Sequence, residues 1–354
     1  MSDPTMPVAG GVELGDVLPN HRFDEQRLRK YLAMHLEDFS GDFGIRQYQG
    51  GQSNPTFHLQ TASGEFVLRK RPPGRLLPSA HAVDREYRVM RVLAETQVPV
   101  PRMLHMCDDE SVIGQTFFVM QHVPGRVFPD PLMPGSSPSE RAAVYADMNR
   151  VLACLQAVDY QAVGLSGFGH PEGYVERQIT RWSKQYAASK LSDLTAMDKL
   201  IDWLPKNVPD REETAIVHGD YRLGNLIVDT HEPRIVAVLD WELATLGHPL
   251  ADLAYNCLAY HLSKASGRGF GDVDLAALGI PDETSYLRDF CVHSGREEIE
   301  NWRFFVVLAL FRIAAILVGV HRRAVDGNAA DARALQIAGS YPEIAEAAWE
   351  IACR

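Results

Sequence analysis

Up to about residue 120 the chain alternates short apolar runs with polar breaks, and beyond that longer stretches with helical spacing take over. Leu28, Tyr31, Leu32, Leu36 and Phe39 recur at helical intervals, which predicts a helix over Asp24 to Phe39 with Asp24 as its cap. Strands are predicted at Gly44 to Gln49, Thr56 to Thr61 and Glu65 to Arg71, the last two joined by Ala62-Ser63-Gly64. A helical pattern at Ser79 to Glu95 precedes two more strands, Arg102 to Cys107 and Gln115 to Met120. Five strands and one inserted helix describe a small α+β lobe. Residues 121–126 contain Pro124-Gly125 and read as a hinge. Helices are expected near 138–158, 172–188, 194–206, 250–262, 282–295, 298–324 and 328–353, so the rest of the chain forms a larger, mainly helical lobe over 127–354. Residues 1–20, rich in Gly and Pro without periodicity, read as a mobile tail, and the first lobe spans 21–120.

Bulk properties narrow the function classes. With 354 residues, 46% hydrophobic and 23% charged, the chain has material for a large core and an ordinary globular composition. A net charge of -11 with no basic block argues against a nucleic-acid partner. Five scattered cysteines without C-x-x-C spacing give neither a disulfide framework nor a zinc site. Met1 to Gly15 lacks a signal-peptide pattern, so a cytoplasmic location is expected. Phe304 to Val320 is apolar except for Arg312, slightly short for a span and charged near its middle. It reads as a buried helix, with no membrane partner.

Chemistry concentrates in His218-Gly219-Asp220-Tyr221-Arg222-Leu223-Gly224-Asn225, followed twenty residues after Asp220 by Asp240-Trp241-Glu242. Leu226-Ile227-Val228 and Ile235-Val236-Ala237-Val238-Leu239 flank a turn and predict a hairpin. Its geometry should gather Asp220, Asn225 and Asp240 at one end. The first segment fits the kinase pattern H-x-D-x-x-x-x-N, and the second puts an acid where kinases hold Mg²⁺. In phosphoryl transfer Asn225 and Asp240 would supply hard oxygen ligands to metal, and Asp220 would accept the proton of the attacking hydroxyl.

Together H-G-D-x-x-x-x-N and D-W-E resemble the aminoglycoside phosphotransferase and choline kinase superfamily, with its bilobal protein-kinase-like fold. Gly50-Gly51-Gln52-Ser53-Asn54-Pro55-Thr56-Phe57, Val67 to Gly74 and His248 to Tyr255 resemble one branch, which includes the kinase-like domain fused to acyl-CoA dehydrogenases in some eukaryotes. The resemblance runs from about residue 20 to about 345 and implies ATP and Mg²⁺ as cofactors and a small-molecule hydroxyl as acceptor.

It also implies roles in each lobe. Gly50, Gly51, Ser53 and Asn54 form the loop over the phosphates, although the full G-x-G-x-x-G signature is absent. Arg69 and Lys70 both offer a cation and point to opposite faces of a strand. Alignment with the V-A-I-K lysine picks Arg69, and an off-by-one register picks Lys70. We take Arg69, whose fork suits bidentate oxygen binding. Glu86 would orient that cation, and backbone groups of Gln121 and Val123 would meet the adenine edge. His218 and Asp252 read as scaffold around the catalytic loop. Glu242 either assists the metal or caps a turn.

Only nine residues separate Glu242 from Asp252, too few for the activation segment and peptide platform of protein kinases, so the acceptor is small. Arg312 either ties helices together through an internal acid or, with His321, Arg322 or Arg323, holds an anionic acceptor. Trp182, Tyr186 and Tyr260 are candidates to line the acceptor cleft. The branch resemblance points to a hydroxylated acyl group or its coenzyme A thioester. The alternatives are an aminoglycoside phosphotransferase, which needs an acidic cleft, and a nucleotide-binding pseudokinase module.

Overall fold

In a computed structural model the described residues are 13–37, 39, 42–49, 54–73, 82–326 and 337–354, with only the backbone described at Ala265. Contacts divide them into two units: Met1–Phe128 with Asn225–Leu243, and Pro129–Gly224 with Ala244–Arg354. The sequence reading gave 225–243 to the second lobe, whereas its contacts group it with the first.

The first unit is built on an antiparallel sheet in the order β1-β2-β3-β4-β6-β5. Its strands are β1 (Leu14–Gly15), β2 (Phe43–Tyr48), β3 (Thr56–Thr61), β4 (Glu65–Lys70), β5 (Met103–Cys107) and β6 (Phe117–Gln121). Five were expected. The sixth, β1, arises because Leu14 and Gly15 pair with Tyr48 and Gln47, inside the stretch read as a tail. Two residues carry no alternation to read, so only the pairing reveals the strand. Alternate side chains of β3, β4 and β6 point to opposite faces. Phe57, Leu59, Phe66, Leu68, Phe117 and Val119 pack with Leu28 and Leu32 of α1 (Glu25–His35) in one apolar cluster. Asp24 caps that helix by accepting the Arg27 N–H at 2.9 Å. The other face carries Thr56, His58, Glu65, Val67 and Arg69.

The hinge sequence closes onto the predicted hairpin within this unit. Arg126 exchanges backbone hydrogen bonds with Val228 at 2.7 and 2.8 Å. A Cβ on Gly125 would lie 2.2 Å from Ile227 Cγ2 and 2.5 Å from the Val228 carbonyl, so no other residue fits that approach.

The second unit is mainly helical: α3 (Pro138–Gln156), α4 (Tyr174–Ser189), α5 (Thr195–Trp203), α6 (Pro249–Asn256), α7 (Leu275–Leu278), α8 (Glu283–Ser294), α9 (Trp302–Val325) and α10 (Tyr341–Cys353). Its length and composition would let α9 cross a membrane, but α4, α6 and α10 cover its apolar sides and make it the core helix. Residues 74–81 and 327–336 lie outside the described residues, so the expected starts at 79 and 328 are not addressed. Sequence reading missed the short pair Ala215–Val217 with Thr245–Gly247, which brackets the catalytic-loop segment. Buried Arg141 donates to the carbonyls of Leu132 at 2.7 Å and Met133 at 3.1 Å, fixing the loop before α3.

His248 caps α6 through an acceptor nitrogen, Nδ1 receiving the Leu250 N–H at 3.2 Å, with the ring 4.4 Å from Phe305. Burial pushes its pKa down from 6.5 to about 4, against the pull of Glu213, because a charged ring would be desolvated. The folded pKa lies below the unfolded one, so this contribution is complete above pH 6.5 and is lost as pH falls toward 4. The loss is on the order of 3 kcal/mol. Denaturant melts at stepped pH should show it in the parent. In His248→Asn, which keeps a capping acceptor but cannot titrate, the stability curve between pH 6.5 and 4 should be flatter by that amount.

Candidate active site

Two groups of residues carry the chemistry, one in each unit. In the first, β4 presents Arg69 on the face away from α1, and α2 (Val83–Leu93) brings Glu86 to it. Arg69 Nε lies 3.0 Å from Glu86 Oε2, Nη2 donates to Asp240 Oδ1 at 2.8 Å, and Nη1 donates to Thr56 Oγ1 at 3.3 Å. Asn54 Nδ2 donates to Glu86 Oε1 at 2.7 Å, so its amide serves the ion pair. Burial works against the Arg69 charge, but Glu86, Asp240 and Glu242 outweigh it and raise its pKa. Burial lifts Glu86 to about 7, with Arg69 pulling the other way.

The two neighbouring cations occupy opposite faces of the sheet. Lys70 points to the opposite face, its Nζ 5.5 and 5.9 Å from the Phe23 and Phe57 ring centres and 3.0 Å from Gln115 Oε1. It is 1% exposed, and burial lowers its pKa to about 8.

Asn225 and Asp240 stand at one end of the hairpin formed by Leu226–Val228 and Ile235–Val238 (β8 and β9, counting the Ala215–Val217 strand as β7). The Leu239 N–H donates to the Asn225 carbonyl at 2.8 Å, which closes that end. Asp240 has φ 64°, a left-handed conformation uncommon for a residue with a side chain. Trp241 anchors the turn, donating from Nε1 to the Val238 carbonyl at 2.9 Å, and Trp241–Leu243 packs on α2. Gln121 closes β6, and its N–H donates to the Arg102 carbonyl at 2.9 Å, so any base contact there falls to its carbonyl. Val123 follows in the extended run before Pro124. Gly50, Gly51 and Ser53 lie outside the described residues.

In the second unit Asp252 of α6 accepts the backbone N–H groups of His218 at 2.7 Å and Gly219 at 2.9 Å. His218 Nδ1 in turn accepts the Asp220 N–H at 3.1 Å, leaving the imidazole occupied in loop structure. Arg312 donates through Nη2 to the Gly219 carbonyl and lies 4.6 Å from the Tyr255 ring centre and 5.5 Å from that of Trp182. Three side chains thus grip the same short loop. Burial alone would raise the Asp220 pKa, but Arg222, the Tyr255 hydroxyl, Arg268 and His218 reverse it, so the carboxyl is held below its usual range. Arg222 Nε stands 3.3 Å from Asp220 Oδ2. A Cβ on Gly224 would meet Arg222 Nη1 at 2.2 Å, so this glycine makes room for the guanidinium.

A small, solvent-open cavity adjoins this loop within the second unit. Tyr145, Tyr255, Tyr260, Phe270 and Tyr286 form much of its wall, Arg222 and Arg268 provide its charge, and among the described residues no carboxylate lines it. Of the aromatics expected there, Tyr260 is present. Trp182 and Tyr186 are instead core residues, Trp182 against Arg312 and Tyr186 accepting the Leu194 N–H at 3.1 Å. Neither Arg312 nor His321, Arg322 or Arg323 lines the cavity, and Arg322 pairs with Asp326 at 2.9 Å. Sequence reasoning missed Arg222, Tyr255 and Arg268. Arg222 and Tyr255 sit inside the quoted motifs, but Arg268 lies in an irregular loop that no motif marks.

Kinase-like lobes, an arginine–glutamate pair and a braced H-G-D loop define a small-molecule kinase. The chain belongs to the phosphotransferase enzyme family, whose sequence profile matches residues 44–290. It is 45% identical over 333 residues to mouse acyl-CoA dehydrogenase family member 10, covering 93% of this chain and 31% of the relative. Human acyl-CoA dehydrogenase family member 11 is 41% identical over 351 residues, covering 98% and 45%. The chain thus spans less than half the length of these relatives. A candidate aminoglycoside phosphotransferase from Ralstonia eutropha JMP134 superposes with a TM-score of 0.86 at 47% identity, covering 94% of this chain and 99% of the other. Two more distant structures share the fold: APH(4)-Ia in ternary complex with ADP and hygromycin B (TM-score 0.61, 18% identity, 92% and 98% covered) and Cryptosporidium parvum choline kinase (0.62, 10%, 93% and 94%).

Two substitutions separate the neighbouring cations. Arg69→Met strands the buried Glu86 and should cost about 3–5 kcal/mol in denaturant unfolding. Lys70→Met removes a desolvated charge and should stabilise at pH 7, because the folded pKa lies below the unfolded one. That advantage should shrink as pH rises from about 8 to 10.5, where the parent regains the difference.

Proposed function

We propose that the chain transfers the γ-phosphoryl group of ATP, with Mg²⁺, to a hydroxyl of an anionic small molecule, a hydroxylated acyl group or its coenzyme A thioester. The observation that carries the acceptor class is the cavity next to the H-G-D loop: Arg268 and the Asp220-paired Arg222 stand among aromatic walls, and no carboxylate is part of the lining among the described residues. Such a lining attracts an anion and repels a polycation, so it opposes the aminoglycoside alternative. The acyl part of the reading is supported by the relatives' names, which place them among acyl-CoA dehydrogenases. Nucleotide use is supported by the ADP held in the related fold of APH(4)-Ia. A cytoplasmic setting suits this reading, since the five cysteines are free.

In this mechanism Asp220 receives the acceptor hydroxyl's hydrogen bond and then its proton. The positive surroundings keep Asp220 ionised at neutral pH, so it is unprotonated when the hydroxyl arrives, at the cost of some basicity. Tyr255 and Arg222 hold the carboxylate in one orientation, while Asp252, His218 and Arg312 fix the loop that carries it. Arg69 pairs with phosphate oxygens, aligned by Glu86, under the Gly50–Asn54 loop. Gln121 and Val123 meet the base, and Glu242 adds negative charge beside the metal position. Asn225 and Asp240 offer an amide oxygen and a carboxylate, donors that suit Mg²⁺. Asp240 uses Oδ1 for Arg69 and keeps further lone pairs for a cation. When bound, Mg²⁺ neutralises charge on the phosphate oxygens.

Asp220→Asn should lower kcat by at least about 100-fold while leaving the ADP dissociation constant within about twofold. Arg268→Glu should raise KM for a carboxylate-bearing or coenzyme A-linked hydroxy acid about tenfold with little change in kcat. ATP-consumption assays on hydroxyacyl and aminoglycoside panels check both. Turnover of aminoglycosides in preference to hydroxy acids would overturn the acceptor class, and full activity in Asp220→Asn would overturn the base.

A further inference from the structure

A second cluster of chemically active side chains lies in the first unit and takes no part in the mechanism above. β3, β4 and β6 are hydrogen-bonded neighbours, and β4 runs antiparallel to both. His58 stands opposite Val67, two residues from Glu65 on the same face. Phe66 stands opposite Gln121, and the His122 N–H donates to the Glu65 carbonyl at 3.4 Å, so His122 is set beside Glu65. Three adjacent strand positions therefore place an imidazole, a carboxylate and an imidazole together. Their ligand atoms all lie within 4.8 Å of one another. Glu65 Oε2 is 2.8 Å from His122 Nδ1 and 3.5 Å from His58 Nε2, and the two rings are 4.9 Å apart at 73°.

We propose that His58, Glu65 and His122 form a binding site for a borderline divalent cation of the Zn²⁺ class. Two nitrogen donors and one carboxylate are the ligand set such an ion prefers, and three protein ligands leave a position for water. Around a tetrahedral ion with bonds of about 2.0–2.2 Å, ligand atoms stand about 3.3–3.6 Å apart. Of the observed separations, 3.5 Å falls in that range and 2.8 Å lies below it, so the ion would draw His122 and Glu65 slightly apart. The strand ladder fixes the Cα positions of His58 and Glu65, and the backbone hydrogen bond of His122 to Glu65 holds the third, which keeps the entropic cost of ordering the site small. Burial holds the His122 pKa below its usual value, against the pull of Glu65, favouring the neutral ring that metal requires. Hydrogen bonding among the three groups explains their contacts without a metal, and the test must separate these readings.

The site shares a sheet face with Arg69 and lies four residues along β4 from it, roughly 13 Å at strand spacing. It also includes the residue between Gln121 and Val123. An ion there cross-links that connecting segment to the sheet. The inference does not depend on the phosphotransfer reading.

Zn²⁺ titration of the full chain by calorimetry, in excess Mg²⁺ to fill oxygen-rich sites, tests it. Co²⁺ in place of Zn²⁺ gives visible d–d bands that report nitrogen-containing four- or five-coordination. The parent should bind one equivalent that Glu65→Gln and His122→Asn each weaken at least about tenfold. Glu65 is 43% exposed at its side chain, so Glu65→Gln should fold as the parent does, as thermal melting without metal would verify. Every other histidine and cysteine is common to parent and variants, so the difference isolates this cluster. No Zn²⁺ binding by the parent, or equal affinity and stoichiometry in the variants, would overturn the site.

Discussion

The first unit depends on how a guanidinium is kept charged inside a sheet. Arg69 meets Glu86, Asp240 and Thr56 from three different segments, and Asn54, two residues before Thr56, holds Glu86. Each contact alone is modest, and burying the charges is costly. The arrangement persists because one cation is shared between two carboxylates and the arginine's donors are aimed by its planar fork. It also draws Asp240, at the hairpin end, toward β4. The second unit uses the opposite economy. There Asp252, His218 and Arg312 are directed at backbone groups of a few residues, so the loop is held without using the Asp220 carboxylate, which pairs with Arg222.

Much of this was legible in the chain, and the exceptions have physical causes. The strands from Phe43 to Gln121 announce themselves by alternation, and the hairpin by two apolar runs about a turn. Arg69 could be separated from Lys70 only through face assignment, which needed the Phe57 and Leu68 neighbours as a reference. β1 was invisible because two residues have no period. Arg312 was readable as a charge that required a partner, but that partner is a carbonyl, and every residue offers one. Arg268 lies in an irregular stretch whose approach to the cavity is decided by the fold. Trp182 and Tyr186 show the converse error: large aromatics at helical spacing were core, the commoner fate of such residues.

The cavity of the second unit also shows why a whole-chain property is a poor guide to a site. The protein is acidic overall, yet the cavity's charged lining is positive. Net charge governs long-range behaviour such as solubility, whereas recognition is settled by the few groups within a Debye length and out of water.

Because Asn225–Leu243 belongs with residues up to 128, the chain passes between the units three times. A protein made from its N-terminus would therefore expose a sheet whose Arg69 has Glu86 but still lacks Asp240, and an α2 still missing the Trp241–Leu243 segment that packs on it. On a ribosome this state lasts for the synthesis of more than a hundred residues, several seconds to tens of seconds at about 5–20 residues per second. The first unit is thus first in sequence but completed late. A fragment ending near residue 128 would keep that unfinished state permanently, with a buried cation only partly neutralised.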